Sequence, residues 1–249
     1  MMRVVITGAG TINPLGADVA TTLRAMAAGV TAISDLSLRD QDRLTVKIGA
    51  MVRDFDSEAH FPPERLRFLD RFSQFALIAA RQAVAQSGLN LGGPLASRTG
   101  VIIGSAGGGL TTSDDNFRAV YQEGRPRAHP FTVPRLMGNA AASQISIDYG
   151  LQGPTFAVSS ACASSNHAIG LAFQMVRSGL APVMLAGGAE AMLTFGGLKA
   201  WEGLRVMAPD ACRPFSADRT GMVMGEGAGV FVLEARDHAL ARGAMILAE

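Results

Sequence analysis

Cys162 stands in the segment Thr155-Phe-Ala-Val-Ser-Ser-Ala-Cys162-Ala-Ser-Ser-Asn-His-Ala-Ile-Gly170, where an apolar run of strand type stops at small residues and a helical pattern begins. Ile169, Phe173 and Val176 fall at i, i+4 and i+7, and Gly179 closes the pattern. The thiol is therefore expected at a strand-to-helix turn, over a helix N-terminus. Unpaired N–H groups and the positive end of the helix dipole favour an anion there, and the thiolate is the reactive form of cysteine. The same N–H groups can hold an oxyanion built from a substrate carbonyl. Such a nucleophile is suited to take up an acyl group as a thioester. Most lone cysteines are inert packing. Here Ser159, Ser160, Ala161, Ala163, Ser164 and Ser165 are all small and leave room for a ligand. The chain has only two cysteines, so no disulfide framework competes for this one.

No base for the thiol stands out. The four histidines are His60, His129, His167 and His238, and none pairs with another His or with Cys at metal-ligand spacing. His167 lies five residues past Cys162, which on a helix turns it about 140° away; it is expected to be a packed or interface histidine. Glu190 has the chemistry of a general base and is read as an internal structural partner. Cys212, in a polar loop, is read as an ordinary free thiol. Gly8-x-Gly10 follows the first strand, but the dinucleotide-binding pattern needs a third glycine where Asn13 stands, so these glycines are expected to form a tight turn. Gly225-Glu-Gly-Ala-Gly229 is read as close backbone packing. Arg65, Arg67 and Arg71 flank the start of an alanine-rich helix, Arg125 and Arg127 sit in a Pro-rich loop, and Arg205 in another. Scattered arginines usually make a solvated face. Folded together, these would suit an acidic partner helix or a phosphate group.

The elements that must position these residues follow from periodicity and punctuation. Strands are expected at 3–7, 99–105, around 155–158, 182–186 and 229–234, with the start of another at 244–248. Helices are expected at 18–28, 70–86, 111–122, 136–149, after Cys162, and 235–242. Residues 30–68 read as irregular or short elements, and 126–134 and 203–220 as loops. Strands alternate with helices and are continuous apolar runs, which argues for a layered α/β fold with a sheet buried on both faces. Of the 249 residues, 48% are hydrophobic and 17% charged, a globular composition with a large core. The net charge of +1 gives no overall field toward nucleic acid or an anionic membrane. The N-terminus runs straight into a strand without a signal-peptide layout, no apolar stretch reaches transmembrane length, and two cysteines fit a reducing compartment. A cytoplasmic enzyme without nucleic-acid or membrane partners is the expectation.

Val158-Ser-Ser-Ala-Cys-Ala-Ser164 resembles the active-site signature of the β-ketoacyl-acyl-carrier-protein synthases, the elongating condensing enzymes of fatty acid synthesis. The opening Arg3-Val-Val-Ile-Thr-Gly-Ala-Gly10, with Asn13-Pro-Leu-Gly16, is similar to theirs. So are Ile103-Gly-Ser-Ala-Gly-Gly-Gly109, Pro130-Phe-Thr-Val-Pro134, Ala186-Gly-Gly-Ala-Glu-Ala191, Cys212-Arg-Pro-Phe-Ser-Ala-Asp218 and Gly225-Glu-Gly-Ala-Gly229, all in the same order. The synthase II form is nearest. Gly107 fills a place where that form often carries a bulkier gate of the acyl pocket, which implies a wider or differently gated pocket. Cys rather than Gln at 162 argues against the non-condensing chain-length-factor relatives.

The resemblance implies a thiolase-like fold of two similar α/β/α halves, of which residues 1–249 are the N-terminal half with a mixed central sheet covered by helices, and a homodimer. It implies that Cys162 takes an acyl chain from acyl carrier protein as a thioester. Malonyl-carrier protein then loses CO₂, and the resulting carbanion attacks that thioester. The Cys162 N–H becomes one oxyanion donor, and Arg65, Arg67, Arg71, Arg125, Arg127 and Arg205 match a carrier-docking surface. No cofactor is expected, since phosphopantetheine arrives on the carrier protein. The family's two catalytic histidines, its lysine and its second oxyanion donor belong to the half that follows Glu249. The C-terminal half is thus read as absent, or as supplied by a partner chain. The isolated chain is expected to be acylated at most. The alternatives are a CoA-dependent acyltransferase of the thiolase class and a non-catalytic, partner-dependent subunit.

Overall fold

In a computed structural model describing residues 1–249, five apolar runs become strands β1 (Val4–Ile12), β4 (Thr99–Gly104), β5 (Thr155–Val158), β6 (Val183–Ala191) and β7 (Glu226–Ala235). A two-residue pair, β2 (Ser34–Asp35) and β3 (Ile48–Gly49), stands apart from them. The helices are α1 (Val19–Ala27), α2 (Ser57–His60), α3 (Pro63–Leu66), α4 (Arg71–Ser87), α5 (Leu110–Tyr121), α6 (Thr132–Leu136), α7 (Ala140–Tyr149), α8 (Ser164–Arg177), α9 (Phe195–Gly203) and α10 (Arg236–Ala241). No helix is long and apolar enough to cross a membrane.

The sheet order is β1-β7-β6-β4-β5. β1, β7 and β6 run antiparallel in turn, whereas β6, β4 and β5 are parallel, so the sheet is mixed. Register brings Gly104 opposite both Val158 and Gly188, and Ala191 opposite Glu226. The C-terminal ends of the three parallel strands therefore meet at one edge, the usual place for a ligand in a parallel α/β sheet.

Residues alternate across the sheet. Val101, Ile103, Val183 and Leu185 point into a core with α4 and α7, while Ile102, Met184 and Ala186 point into a second core with α8. Each fully buried aliphatic side chain of this kind contributes about 1.5–3 kcal/mol. α4 is capped at its start by Asp70, whose side chain accepts the Phe72 N–H, and it ends at Gly88 in the left-handed conformation. Its fully buried Ala76, Ala79, Ala80 and Ala83 lie in the first of these cores.

Gly8 and Gly10 do not form the expected turn. They lie inside β1, which runs on to Ile12 with a register shift between Ile6 and Gly8. A Cβ on Gly8 would sit 2.0 Å from the Ala83 carbonyl oxygen, and one on Gly10 2.0 Å from that of Ala79. These glycines let a helix backbone rest directly on the strand. β6 runs beyond residue 186 to Ala191, and β7 begins earlier, at Glu226, because the two strands pair along their whole lengths. The expected loop at 126–134 ends in α6, and the helix expected from 136 begins only at Ala140. Residues 244–248 contribute a single bridge, Ala248 to Ile6, rather than a strand.

Candidate active site

β5 ends at Val158, α8 begins at Ser164, and Cys162 lies in the turn between them, exposed. Two glycines make that position possible. A Cβ on Gly104 would lie 2.3 Å from the Ser164 carbonyl carbon, and one on Gly188 2.5 Å from the Ser165 Cβ. The first turn of α8 is thereby seated on the ends of β4 and β6. Ala161, just before the thiol, has φ +52°, a left-handed conformation that costs an alanine about 1–2 kcal/mol and persists only where its surroundings enforce it.

Main-chain bonds from the Ala163 N–H to the Ser160 carbonyl (3.2 Å) and from the Ser164 N–H to the Ala161 carbonyl (3.1 Å) close the turn, and side chains on both flanks add to them. The Ser160 N–H donates to Ser164 Oγ (2.9 Å), and the Ser164 hydroxyl donates to the Ala161 carbonyl (2.6 Å). Ser160 Oγ also lies 2.6 Å from His167 Nδ1. No acceptor within the chain takes the Cys162 N–H.

The thiol faces a cavity of about 720 Å³, within the range of small-ligand sites. Its walls come from the sheet edge described above: Asn13 after β1, Gly104 to Ala106 after β4, Gly187 to Glu190 of β6, and Gly225 to Gly229 leading into β7. Met192, Trp201, Met222, Met224 and Phe231 add apolar surface, and no histidine lines it.

Glu190 anchors the glycine loop opposite the thiol. Its carboxylate accepts the Ser105 hydroxyl (3.1 Å) and the Ala106 N–H (2.7 Å), and the Gly107 N–H reaches both oxygens (3.2 and 3.3 Å). Burial pushes this carboxyl up, while hydrogen bonds from Ala106, Gly107 and Ser105 pull it back. Gly107 does not line this cavity, and a Cβ there would meet Leu110 Cδ1 at 2.7 Å and Glu190 Oε1 at 3.2 Å. Asp70, fully buried, accepts the Phe72 N–H of α4 (3.2 Å) and the Thr112 N–H of α5 (2.7 Å), so one carboxylate caps two helices. Burial pushes this group up as well.

The six arginines do not form one group. Arg71 turns inward: it binds both Glu226 oxygens (2.7 and 2.9 Å) and the Val52 carbonyl, and its guanidinium lies against the contacting rings of Phe55 and Phe75. Arg65 pairs with Asp148 at 3.4 Å. Arg67 is exposed and lies 5.2 Å over the Phe131 ring, and Arg125 and Arg127 lie in an exposed loop. Arg125 pairs with Glu123 at 3.5 Å. Arg205 is exposed after α9, and no contact ties it to the others.

Cys212 is exposed and free. His167, expected as a packed or interface histidine, is exposed on the chain's surface. Ser160 and Cys162 precede α8, so helical periodicity does not describe their position relative to His167 and gives no sign of its contact with Ser160. The serines at 160 and 164 carry a local signal of their own, since Ser hydroxyls beside a chain reversal bond neighbouring backbone groups.

Comparison with known proteins bears on this site. The model of the β-ketoacyl synthase N-terminal domain matches residues 1–239. Nodulation protein E of Rhizobium leguminosarum bv. trifolii is 48% identical over 247 residues, covering 99% of this chain and 61% of that protein. The 3-oxoacyl-[acyl-carrier-protein] synthase 2 of Staphylococcus aureus (strain MRSA252) is 40% identical over 253 residues, covering 100% of this chain and 61% of that one. Among solved structures, the ishigamide ketosynthase/chain length factor superposes with a TM-score of 0.91 at 29% identity, covering 98% of this chain and 61% of that one. The chain thus spans about three fifths of the length of the relatives it matches.

Proposed function

The chain belongs to the β-ketoacyl synthase family, and from that premise we propose that Cys162 is its acyl-accepting nucleophile and that acyl carrier protein delivers the acyl chain. The Cys162 thiolate attacks the carbonyl carbon of the carrier-bound thioester. The new C–S bond forms as the carbonyl becomes an oxyanion. Collapse of that oxyanion expels the pantetheine sulfur, which leaves as a thiolate and takes a proton from water. The Cys162 N–H, which no internal acceptor engages, stabilises the oxyanion. The observation that carries this reading is an exposed thiol on a clamped turn, at the wall of a largely apolar cavity with room for a fatty tail.

In the second half-reaction, malonyl-carrier protein loses CO₂ and its carbanion attacks the Cys162 thioester, releasing the sulfur as thiolate and forming a 3-oxoacyl chain. The cavity wall contains no histidine to assist decarboxylation. The proposal for these 249 residues is acylation, with the acid–base steps of condensation assigned to groups outside this cavity wall. Arg67, Arg125 and Arg127 are the arginines best placed to meet an acidic carrier helix. No resident cofactor is required. A cytoplasmic homodimer belongs to the same reading; the uncovered edge of β5, at one end of the sheet, offers four residues for strand pairing.

The test is direct. The purified chain is mixed with carrier protein charged with a long acyl group, and its intact mass is read. One acyl increment is expected on the wild type and none on Cys162→Ser, with the same acyl group on CoA transferring more slowly. A wild type that stays unmodified while the charged carrier remains intact would refute the reading.

A further inference from the structure

We propose that His167 is a positioning residue for the Cys162 thiol and acts through Ser160. The inference rests on the reading of Cys162 as nucleophile for its consequence, and on the geometry of the turn for its substance.

Ser160 is the second residue before Cys162, and His167 sits in the first turn of α8 behind it. The 2.6 Å contact between Ser160 Oγ and His167 Nδ1 ties the strand side of the turn to its helix side, with the thiol between. The contact stands whether the hydroxyl donates to the ring nitrogen or the ring N–H donates to the hydroxyl. Two further side-chain bonds close the same turn, Ser160 N–H to Ser164 Oγ and the Ser164 hydroxyl to the Ala161 carbonyl, but both run through Ser164, whose hydroxyl is thereby used as acceptor and donor. Nothing but His167 engages the Ser160 hydroxyl.

Ala161 is held at φ +52° by these anchors together with the main-chain bonds from the Ala163 N–H to the Ser160 carbonyl and from the Ser164 N–H to the Ala161 carbonyl. That conformation aims the next residue. Were Ala161 to relax to a negative φ, the Cys162 Cα–Cβ direction and its N–H would both swing, and the thiol would lose its place on the cavity wall. His167 is itself exposed and does not line the cavity. Its effect on chemistry must therefore pass through Ser160 and the turn, which separates it from a general base.

Alkylation of Cys162 by iodoacetamide reads thiol placement without any carrier protein. With Cys212→Ser as background, rates are measured by mass for His167→Ala, Ser160→Ala, the double variant and His167→Asn. Each single alanine variant is expected to slow alkylation about fivefold, the double variant to be no slower than either single, and Asn, which offers a polar atom near the Nδ1 position, to recover the rate to within about twofold. In a crystal structure of His167→Ala, Ala161 is expected to leave the left-handed region.

Single variants that alkylate at the wild-type rate, or effects that add in the double variant, overturn the proposal. So does an unshifted Ala161. A merely structural role would lower the melting temperature and leave the alkylation rate of the folded chain unchanged. The two readings fail separately. A chain that takes no acyl group from charged carrier, while its variants still slow alkylation, refutes the function and keeps the clamp. Intact acyl transfer with equal alkylation rates does the reverse.

Discussion

At the scale of single residues, the site depends on atoms that are missing. Gly104 has no Cβ, and that is why the carbonyl of Ser164 can lie against the end of β4. A methyl group at Gly104 would have to displace main chain, which cannot yield as a flexible side-chain tip can. Overpacking of this kind costs about 1–3 kcal/mol. Gly170, by contrast, lies within α8 with open space where its Cβ would be. Alanine there removes a helix-weakening glycine, worth about 1 kcal/mol. Gly104→Ala is therefore expected to lower stability toward urea and to displace the thiol, and Gly170→Ala to raise stability with the thiol unmoved. Equal effects of the two substitutions would contradict this account of how α8 is seated.

At the scale of elements, two carboxylates fasten the pieces around the cavity. Asp70 joins the starts of α4 and α5, and Glu190, near the end of β6, holds the loop that leaves β4. Both are pushed up by burial, so each lies in surroundings that disfavour its charge and compensates through the donors it accepts. Glu190→Gln keeps the size and one acceptor oxygen but sets an NH₂ group against backbone N–H donors. Leaving such donors unpaired costs about 1–3 kcal/mol. The substitution is expected to raise amide hydrogen exchange at Ala106 and Gly107 about tenfold or more while leaving exchange in α4 unchanged. Unchanged protection at those two amides would show that the loop holds itself. Within the glycine-rich run 104–109 the Ala106 and Gly107 amides go to Glu190, the Gly108 amide to Ser105 Oγ, and the Ser105 and Gly109 amides to the carbonyls of Val158 and Leu136.

At the scale of the molecule, Glu234 is the tie. Fully buried in β7, it accepts from Thr7 of β1 (2.9 Å) and from Arg242 through two bonds (2.8 and 2.8 Å), and it contacts His238 Nδ1 of α10 (2.6 Å); Arg242 also donates to the Ser87 carbonyl at the end of α4 (2.8 Å). Burial pushes the Glu234 carboxyl up, but the bonds from Arg242, His238 and Thr7 outweigh it and hold it below the usual range. A carboxyl lowered by folding stabilises the protein above its unfolded value, about 4.3, and that contribution is lost as pH falls through the folded value. Asp70 and Glu190 act in the opposite sense. The cost of their ionisation is absent below about 3.9 and 4.3 and complete once pH has risen through their raised folded values. Glu234→Gln is expected to cost about 3 kcal/mol at pH 7, with the gap to wild type narrowing toward pH 3 in urea unfolding; a gap of constant size would exclude Glu234 as the titrating tie. Much of this molecule was legible in the chain alone. The apolar runs, the helical periodicities and the small residues around Cys162 are local signals, and they suffice for a layered α/β fold with a thiol at a strand-to-helix turn, because backbone preference and periodicity act over a few neighbours. What only the folded chain decided was convergence. Gly8 and Gly10 became a seat for α4 instead of a turn, Arg71 turned inward to Glu226, and Glu190 met amides more than eighty residues away. Such contacts depend on which strands pair and in what register, and that is an energy shared by the whole core, which no short stretch of sequence contains.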